Sequence, residues 1–323
     1  MPPEPGAAAA LLADIGGTNA RFALARDGEV GAIVTLQTAQ YPHAQAALRA
    51  FLETARLASP PPVAALACAG PVENGRVELT NGVWRIDAQE LRADLGFEDV
   101  VVVNDFAAIA WAVPGLTAAD LHGVGGGEAL EGAPAVVLGP GTGLGVAGYL
   151  PGVGGDAVIV GEGGHVTMAP VTDREAEVLA AARKELGHAS AERFLSGEGL
   201  ERLYRSLARL DGREAPARTA AQITQSAAKP GDTLCQQAVA MFCEMLGTVA
   251  GDLALTFGAR GGVYIAGGIV PRIRDLFAGG LFRDRFEAKG RYRDYLARIP
   301  TSIIVHPEPA FLGLNRRFGT AAS

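Results

Sequence analysis

The sequence predicts an α/β protein with two domains. Apolar segments with strand character alternate with segments of helical spacing, which is the pattern of α/β folds. The 323 residues exceed what one hydrophobic core usually organises. Residues 11–24 and 135–150 share one plan: an apolar strand, a glycine turn with a threonine, and a second apolar strand. Unless this likeness is chance, two domains of related architecture each present a glycine hairpin to a shared cleft.

The composition is that of a soluble globular protein, with 49% hydrophobic and 20% charged residues. The formal net charge of -7 argues against a nucleic-acid partner, because phosphate backbones attract basic surfaces. Cys68, Cys235 and Cys243 lie in apolar stretches without CxxC spacing. We therefore expect buried thiols instead of disulfides or a zinc site.

Residues 1–10 are rich in proline and alanine and predict a disordered lead-in. They lack the positively charged region of a signal peptide. The longest apolar region, 238–257, carries Glu244 and Asp252, which favours a buried helix over a membrane span. We expect a cytoplasmic protein without a membrane partner.

The first domain opens with a β-hairpin, because LLADI and ARFALA flank a Gly-Gly turn. Asp87 and Gly96 are typical of the two ends of a helix. The runs VAALACAG and DVVVVNDF are continuously apolar, as in strands covered on both faces. Strands are thus expected at 11–15, 20–25, 32–38, 63–70 and 99–106, and helices at 43–57 and 87–96.

The second domain begins near residue 115. A capping box of Thr172 and Glu175 starts a helix that runs to about Leu186. Helical patterns then continue to residue 258. Strands are expected at the two ends of 133–150 and at 261–269 and 301–306, with a closing helix at 310–319.

The D-I-G-G-T-N-A-R segment that starts at Asp14 contains the first candidate phosphate loop. Gly16 and Gly17 let the backbone turn sharply, and successive N–H groups there can bind an anion. Thr18 adds a hydroxyl donor beside Asn19, and Asp14 could hold a hydrated Mg²⁺. The alternative is an ordinary hairpin turn, which does not require so particular a pattern.

A second candidate phosphate loop lies at 139–145, where every other residue is glycine. Gly141, Thr142 and Gly143 are its centre. So many glycines lower chain stability, and a close backbone approach to phosphate would justify them. The segment 143–148 also matches G-x-G-x-x-G, but a dinucleotide-binding turn should open a helix and VAGYL continues as a strand. The sequence has no GxxxxGK[ST] motif.

Asn104 and Asp105 follow the apolar run VVVV. Polar residues at the carboxyl end of a buried strand lie where open α/β sheets bind ligands. Asp105 is a candidate general base. The alternative is that Asp105 only caps the helix expected from residue 106.

Three further segments carry candidate ligand groups. Glu162 and His165 are separated by two glycines and could converge on one ligand, or could be a surface turn. Glu192 has the character of a glutamate at a helix start. Gly267 and Gly268 follow the strand VYIA and could admit a nucleotide face, or could only connect a strand to a helix.

Two phosphate-type loops, a strand-end carboxylate and groups able to bind hydroxyls are what a kinase acting on an alcohol needs. From Leu11 to about Phe318 the sequence resembles the bacterial glucokinase family, which has the two-domain actin/hexokinase-like (ribonuclease H-like) ATPase fold. The segments that carry the resemblance are ADIGGTNARFAL, VVNDFAA, GPGTGLGVA, GEGGHV, HASAERFLSG and GGVYIAGGIVPR.

The resemblance implies that ATP, Mg²⁺ and glucose are bound and that the protein is a homodimer. It implies a small domain of residues 11–115 and 306–323 and a large domain of residues 116–305. It makes Asp105 the catalytic base, and it implies that the sugar contacts Asn104, Asp105, Gly143, Glu162, His165 and Glu192. Nucleotide contacts are implied at Asp14, Gly16, Gly17, Thr18, Asn19, Gly141, Thr142, Gly143, Gly267 and Gly268, with no side chain bound directly to metal.

The related ROK group of sugar kinases and repressors has a cysteine-rich zinc motif, which the widely spaced cysteines here do not match. We therefore expect no zinc. The alternatives to a glucokinase are a kinase for another hexose and a sugar sensor without catalysis. A sensor should have lost the base or a phosphate loop, whereas both are present.

Overall fold

The computed structural model describes residues 9–57, 59–79, 82, 84–152, 155–277 and 279–319. The chain divides into an N-terminal unit, Met1–Thr117 with His306–Ser323, and a central unit, Ala118–Val305. Residues 1–8 of the expected lead-in lie outside the described residues. Ala10, which that expectation included, is instead a fully buried strand residue, because it pairs with Ala25 and Val63 on neighbouring strands.

Among the described residues, the N-terminal unit contains one six-stranded sheet with the order β3-β2-β1-β5-β8 and β4 paired to β2. β1 is antiparallel to β2 and parallel to β5, and β5 is parallel to β8. Its elements up to residue 112 are β1 (Ala10–Ile15), β2 (Asn19–Arg26), β3 (Glu29–Val30), β4 (Val34–Gln37), α1 (Ala44–Ala55), β5 (Val63–Cys68), β6 (Arg76–Glu78), β7 (Arg85–Asp87), α2 (Ala88–Leu95), β8 (Asp99–Asn104) and α3 (Asp105–Ala112).

Within the part of the chain that the structure describes, the central unit also has a six-stranded sheet, in the order β12-β11-β10-β13-β14-β9. Its elements are β9 (Leu121–Gly125), β10 (Ala135–Pro140), β11 (Leu144–Leu150), β12 (Ala157–Gly161), α4 (Asp173–Leu186), α5 (Gly197–Leu210), α6 (Ala220–Ala227), α7 (Thr233–Phe257), β13 (Gly262–Ile265), α8 (Arg274–Phe277), α9 (Leu281–Glu287), α10 (Arg293–Ala297) and β14 (Thr301–Ile304). The chain then returns to the N-terminal unit as α11 (Pro309–Phe318).

The two sheets repeat one plan. In each, an antiparallel hairpin, β1–β2 or β10–β11, lies beside two parallel strands, β5–β8 or β13–β14. The likeness between residues 11–24 and 135–150 is therefore part of a shared architecture. The predicted α/β fold class is confirmed.

The continuous apolar runs are explained by burial on both faces of a sheet. Along β1, Leu11 and Ile15 belong to the core cluster that also contains Leu48 and Phe51 of α1. Leu12, which points to the opposite face, is fully buried as well. Helix α11 contacts β1 and β5, and α3 contacts β5 and β8.

The predicted helix ends and the long apolar helix are confirmed. The Asp87 side chain accepts hydrogen bonds from the first turn of α2, and Gly96 ends that helix in the left-handed region with φ 77°. Thr172 and Glu175 form the capping box of α4. Helix α7 is long and apolar enough to cross a membrane, but 72% of its most apolar window is buried inside the central unit. It is a core helix.

The structure contains strands that the sequence did not predict, among them β9, β12 and the pair β6–β7. Strands β9 and β12 are the two edges of the central sheet. Most of β12 is exposed although its sequence is AVIVG, so neither alternation nor burial distinguishes it. An edge strand of this kind is defined by its pairing with β11, which a local pattern does not reveal.

Gly313 lets α11 pack against α3, the helix that begins with Asp105. A Cβ at Gly313 would overlap the carbonyl oxygen of Ala108 and lie 2.9 Å from the backbone nitrogen of Ala112. The obstacle is backbone on a neighbouring helix, which cannot turn away as a side chain can. Only glycine allows these two helices their present separation.

We expect Gly313→Ala to destabilise the protein by about 2 kcal/mol or more. The gain in helix propensity from alanine is about 1 kcal/mol, and it is smaller than the cost of separating the two helices. Chemical denaturation would measure the change. Gly123→Ala is the matched control, because a Cβ there meets nothing within 4 Å. Equal stability of the two variants would contradict this account of the contact.

Candidate functional site

The N-terminal unit has a candidate site where its parallel strands end. The register aligns Ile15, Cys68 and Asn104 across β1, β5 and β8. Carboxyl ends of parallel strands meet at one edge of a sheet, which is where ligands bind in open α/β folds. The turn after β1 and the start of α3 therefore share that edge, and with them Asp14 and Asp105.

The turn between β1 and β2 is held by a threonine from outside the motif. The Gly16 N–H donates to the Asn19 carbonyl over 3.0 Å. The Thr38 hydroxyl donates to the Gly17 carbonyl at 2.7 Å, and the Thr38 N–H donates to the Thr18 carbonyl at 3.0 Å. No described residue accepts a hydrogen bond from the N–H groups of Gly17 and Thr18, which leaves both for an anion. This supporting role of Thr38 is not predictable from the sequence, because no local pattern connects Thr38 to the turn.

Asp14 is held by an ion pair across the hairpin. Its Oδ2 accepts a hydrogen bond from Nη1 of Arg21 over 3.1 Å, and Nε of Arg21 lies 3.5 Å from Oε1 of Glu308. Burial raises the pKa of Asp14 above its ordinary value, the Arg21 guanidinium opposes that rise, and the Glu308 charge adds to it. The carboxylate is thus a partly buried acceptor whose orientation is fixed by Arg21.

Asp14 fits the outer-sphere role expected for it. Among the described residues, none donates a hydrogen bond to its Oδ1, which can therefore accept one from a metal-bound water. The described part of the chain holds no group of three or more His, Cys, Asp or Glu side chains that could hold a metal ion. A magnesium ion here would keep most of its waters, as this ion commonly does.

Cys68 connects the two carboxylates of this edge. Its thiol is fully buried, and burial raises its pKa well above the ordinary value. The negative charges of Asp14 and Asp105 raise that pKa further. Cys68 is therefore a protonated, inert filler beneath the site.

Asn104, and not Asp105, caps helix α3. The Asn104 Oδ1 accepts hydrogen bonds from the N–H groups of Phe106 and Ala107 at 2.9 and 3.3 Å, and its Nδ2 donates to the Gly70 carbonyl at 3.1 Å. The alternative of Asp105 as the N-cap is wrong. Asp105 is the first residue of α3 and is half-buried, with its Oδ1 accepting from the Phe106 N–H at 2.9 Å. The capped helix start fixes the direction of its carboxylate.

The second glycine loop joins β10 to β11 in the central unit. Pro140 pairs with Leu144, and the Gly141 N–H donates to the Gly143 carbonyl over 2.8 Å. A Cβ at Gly141 would meet nothing within 4 Å, and Thr142 is exposed. The chain continues from this loop as strand β11, so the dinucleotide-binding interpretation of the G-x-G-x-x-G match is wrong.

The turn after β13 lies against this loop. Gly267 has φ 86°, and a Cβ there would overlap the carbonyl oxygen of Pro140. Gly267 is therefore required by the backbone itself. At Gly268 a Cβ would meet nothing within 4 Å, so this glycine leaves space for a ligand.

Glu162 and His165 flank a short 3₁₀ turn. Their Oε2 and Nε2 atoms are 3.9 Å apart, and the two side chains are 54% and 58% exposed. The glycines between them serve packing and not flexibility: a Cβ at Gly163 would lie 2.9 Å from Val146, and one at Gly164 would overlap the Leu144 carbonyl oxygen. The two side chains thus project from a turn seated against β11.

The sequence suggested that Glu192 lies at the start of a helix, and the structure shows that it does not. It lies in a turn between α4 and α5, and α5 begins only at Gly197 with Ser196 as its cap. Its Oε2 accepts a hydrogen bond from the Leu144 N–H over 2.9 Å, and its own N–H donates to the Gly164 carbonyl over 2.8 Å. The preference of acidic residues for helix starts was misleading here, because hydrogen bonds to residues distant in sequence fix the position of Glu192.

Each unit thus gathers its own set of expected residues. The N-terminal unit brings Asp14, Gly16, Gly17, Thr18 and Asn19 to one sheet edge with Asn104 and Asp105. In the central unit, contacts connect Gly141, Gly143, Glu162, His165, Glu192 and Gly267, with Thr142 and Gly268 beside them. The first set combines backbone N–H groups able to bind an anion with carboxylates, and the second combines a glycine loop with side chains able to form hydrogen bonds with hydroxyls.

Comparison with known proteins identifies relatives of the whole chain. The family model described as Glucokinase matches residues 11–320. A glucokinase of Nitrobacter hamburgensis is 46% identical over 304 residues, which cover 94% of this chain and 95% of the relative.

Solved structures share the fold. The crystal structure of a glucokinase from an Antarctic psychrotroph superposes with a TM-score of 0.86 and 37% identity, covering 96% of this chain and 98% of that one. A ROK family glucokinase from Streptomyces griseus, solved in complex with glucose and AMPPNP, has a TM-score of 0.64 and 20% identity, with 95% and 99% of the two chains covered. These likenesses confirm the two-domain actin/hexokinase-like fold.

We expect Asp14→Asn to unfold at the same or a higher temperature than the wild type at pH 7. Because the folded protein raises the pKa of Asp14, ionising this carboxyl lowers stability as the pH rises through that pKa. Asparagine removes the charge. The higher unfolding temperature of the variant should disappear at a pH below the ordinary pKa of a carboxyl group, where Asp14 is protonated in both the folded and the unfolded protein. Calorimetric scans over a pH series would measure it.

Asp87→Asn is the matched control, and its expected change in stability at pH 7 has the opposite sign. Burial alone would raise the pKa of Asp87, but hydrogen bonds from Arg76 and from the N–H groups of Glu90 and Gln89 lower it. Asparagine keeps the helix cap and loses only the charge, so this variant should be less stable at pH 7. An Asp14→Asn variant that is destabilised as much as the control would refute the electrostatic account of Asp14.

Proposed function

Because the chain belongs to the glucokinase family, we propose that it is an ATP-dependent hexose kinase that transfers the γ-phosphoryl group of ATP to the 6-hydroxyl of glucose. The products are glucose 6-phosphate and ADP. The observation that carries this proposal is the half-buried Asp105 at a sheet edge that also bears an anion-binding glycine turn. Phosphoryl transfer requires a positioned acceptor group and a phosphate cradle of this kind.

Asp105 acts as the general base. As the sugar 6-oxygen forms its bond to the γ-phosphorus, the bond from that phosphorus to the bridging oxygen of ADP breaks, and Asp105 accepts the hydroxyl proton. The transition state is loose, so alignment of the hydroxyl contributes more than its deprotonation. Alignment is supported by the start of α3, where Asn104 caps the helix and the Phe106 N–H donates to the Asp105 carboxylate.

Each unit, taken by itself, has candidate ligands for sugar hydroxyls. The Asn104 Nδ2 uses one of its two hydrogens on the Gly70 carbonyl, so the other can bind a hydroxyl. Glu162, His165 and Glu192 supply further acceptors and donors for hydroxyls. A charged acceptor that pairs with a sugar hydroxyl contributes more than a neutral one, which suits recognition of a polyol.

Each unit, taken by itself, has a glycine loop suited to a nucleotide phosphate. Gly17 and Thr18 offer backbone N–H groups, and Gly141 leaves its surroundings open for close approach. Gly268 leaves space for the adenosine. Asp14 would hold a magnesium ion through a water molecule, and that ion would neutralise charge on the phosphates; we propose no role for zinc.

We place the enzyme in the cytoplasm as a homodimer whose partners are small molecules. The homodimer is what the family resemblance implies. The burial of helix α7 argues only against its use as a membrane span. The net charge of -7 supports the absence of a nucleic-acid partner.

We expect Asp105→Asn to lower kcat by about 10²–10⁴-fold, the usual contribution of a positioned base. Asparagine keeps the shape and one acceptor oxygen, so glucose binding should survive within about tenfold. Asp99→Asn is the control, since Asp99 is exposed at the opposite end of β8. A coupled assay for ADP and calorimetry with glucose give the two readouts. Near-normal kcat in Asp105→Asn would remove Asp105 from the mechanism and direct attention to Glu162.

We expect Gly141→Val to raise the KM for ATP by about tenfold or more while the protein stays folded. No protein atom lies within 4 Å of the added Cβ, and φ is not in the left-handed region, so a ligand is what the side chain would obstruct. The estimate corresponds to about 1.4 kcal/mol of lost binding. Gly123→Val, another open position, is the control. Unaltered ATP kinetics in Gly141→Val would assign the second loop a structural role only.

A further inference from the structure

The sugar-binding and phosphate-binding segments of the central unit share one hydrogen-bonded frame. The Glu192 carboxylate accepts from the Leu144 N–H at 2.9 Å, and the Glu192 N–H donates to the Gly164 carbonyl at 2.8 Å. Five residues further on, the Gly197 N–H donates to the Gly141 carbonyl at 2.9 Å. The turn around Glu192 is therefore attached both to the 162–165 turn and to the glycine loop.

The contact between Glu192 and the glycine loop is close. The Oε2 of Glu192 occupies the space that a Cβ at Gly143 would take. Glu192 is half-buried, and its bond to the Leu144 N–H is charge-assisted, which makes it stronger than a bond between neutral groups. The loop residue 143 must be glycine for this carboxylate to reach the backbone beyond it.

The two oxygens of the Glu192 carboxylate have different surroundings. Oε2 is engaged with Leu144, whereas no described residue donates a hydrogen bond to Oε1. A carboxylate oxygen can accept more than one hydrogen bond, so Oε1 is open to a ligand hydroxyl. One carboxylate can thus hold the loop and a sugar together.

We propose that Glu192 is a positioning residue for the phosphate loop at 139–145, so that sugar binding strengthens nucleotide binding through its carboxylate. This inference rests on the proposed function. A sugar hydroxyl that donates to Oε1 restricts the side chain to the rotamer in which Oε2 accepts from Leu144. The loop is then already ordered when the nucleotide arrives, and by linkage the nucleotide strengthens sugar binding by the same factor.

Calorimetry with AMPPNP, with and without saturating glucose, tests the proposal. Without glucose, Glu192→Ala should bind AMPPNP about tenfold more weakly than the wild type, because the Leu144 N–H loses its acceptor. Glu192→Gln should stay within about threefold, since its amide oxygen can replace Oε2. Glucose should raise AMPPNP affinity about fivefold or more in the wild type, and much less in Glu192→Ala.

Glu162→Ala is the matched control. Glu162 is also a proposed sugar ligand, but its side-chain contact is with His165 and not with the loop. This variant should bind glucose weakly and AMPPNP normally in the absence of glucose. Amide hydrogen exchange gives an independent readout: exchange at Leu144 should accelerate in Glu192→Ala and not in Glu162→Ala.

The two hypotheses fail differently. If Glu192→Ala and Glu162→Ala both weaken glucose binding while neither changes AMPPNP affinity or Leu144 exchange, the positioning role is overturned and the proposed function stands. If the wild type binds neither glucose nor AMPPNP, the proposed function fails first. If Glu192→Ala does not fold, the test uses Glu192→Gln and amide hydrogen exchange at Leu144 in the wild type. We expect slow exchange at Leu144, and fast exchange at this amide would overturn the proposal.

Discussion

The register of β1, β5 and β8 is the constraint on which the candidate site of the N-terminal unit depends. It places Ile15, Cys68 and Asn104 side by side, so that one sheet edge carries a glycine turn and a capped helix. A slip of one residue would move every side chain of a strand to its other face. The burial of both faces of β1 prevents such a slip, because polar Asp14 would then enter the core in place of Ile15.

The same physics made much of the fold predictable. Segments such as VAALACAG have one stable environment, a strand covered on both faces, and the glycine turns at 16–17 and 139–145 could join only sharply turning strands. Helix ends followed from single residues, as at Asp87 and Gly96. The candidate residues at strand ends were also predictable, since topology fixes where parallel strands end.

The remainder required information that is not local in sequence. Thr38, the residue that follows β4, forms a hydrogen bond with the first glycine turn. Glu192 accepts a hydrogen bond from Leu144, although it lies in a turn between two helices. Neither contact has a period or a motif. The sequence showed where the glycines are but not why each position requires glycine. Gly164 and Gly267 avoid overlap with a neighbouring backbone, whereas Gly141 and Gly268 face open space. Only the first kind is explained by contacts within the protein itself.

The return of α11 to the N-terminal unit orders the events of biosynthesis. The central unit is one continuous stretch, so it can form as soon as it leaves the ribosome. Helix α3 waits for its partner until residues 309–318 have been made, and during that interval its apolar face, with Ala108 on it, stays uncovered. The start of α3, which carries Asp105, therefore cannot reach its final packing before α11 has been synthesised.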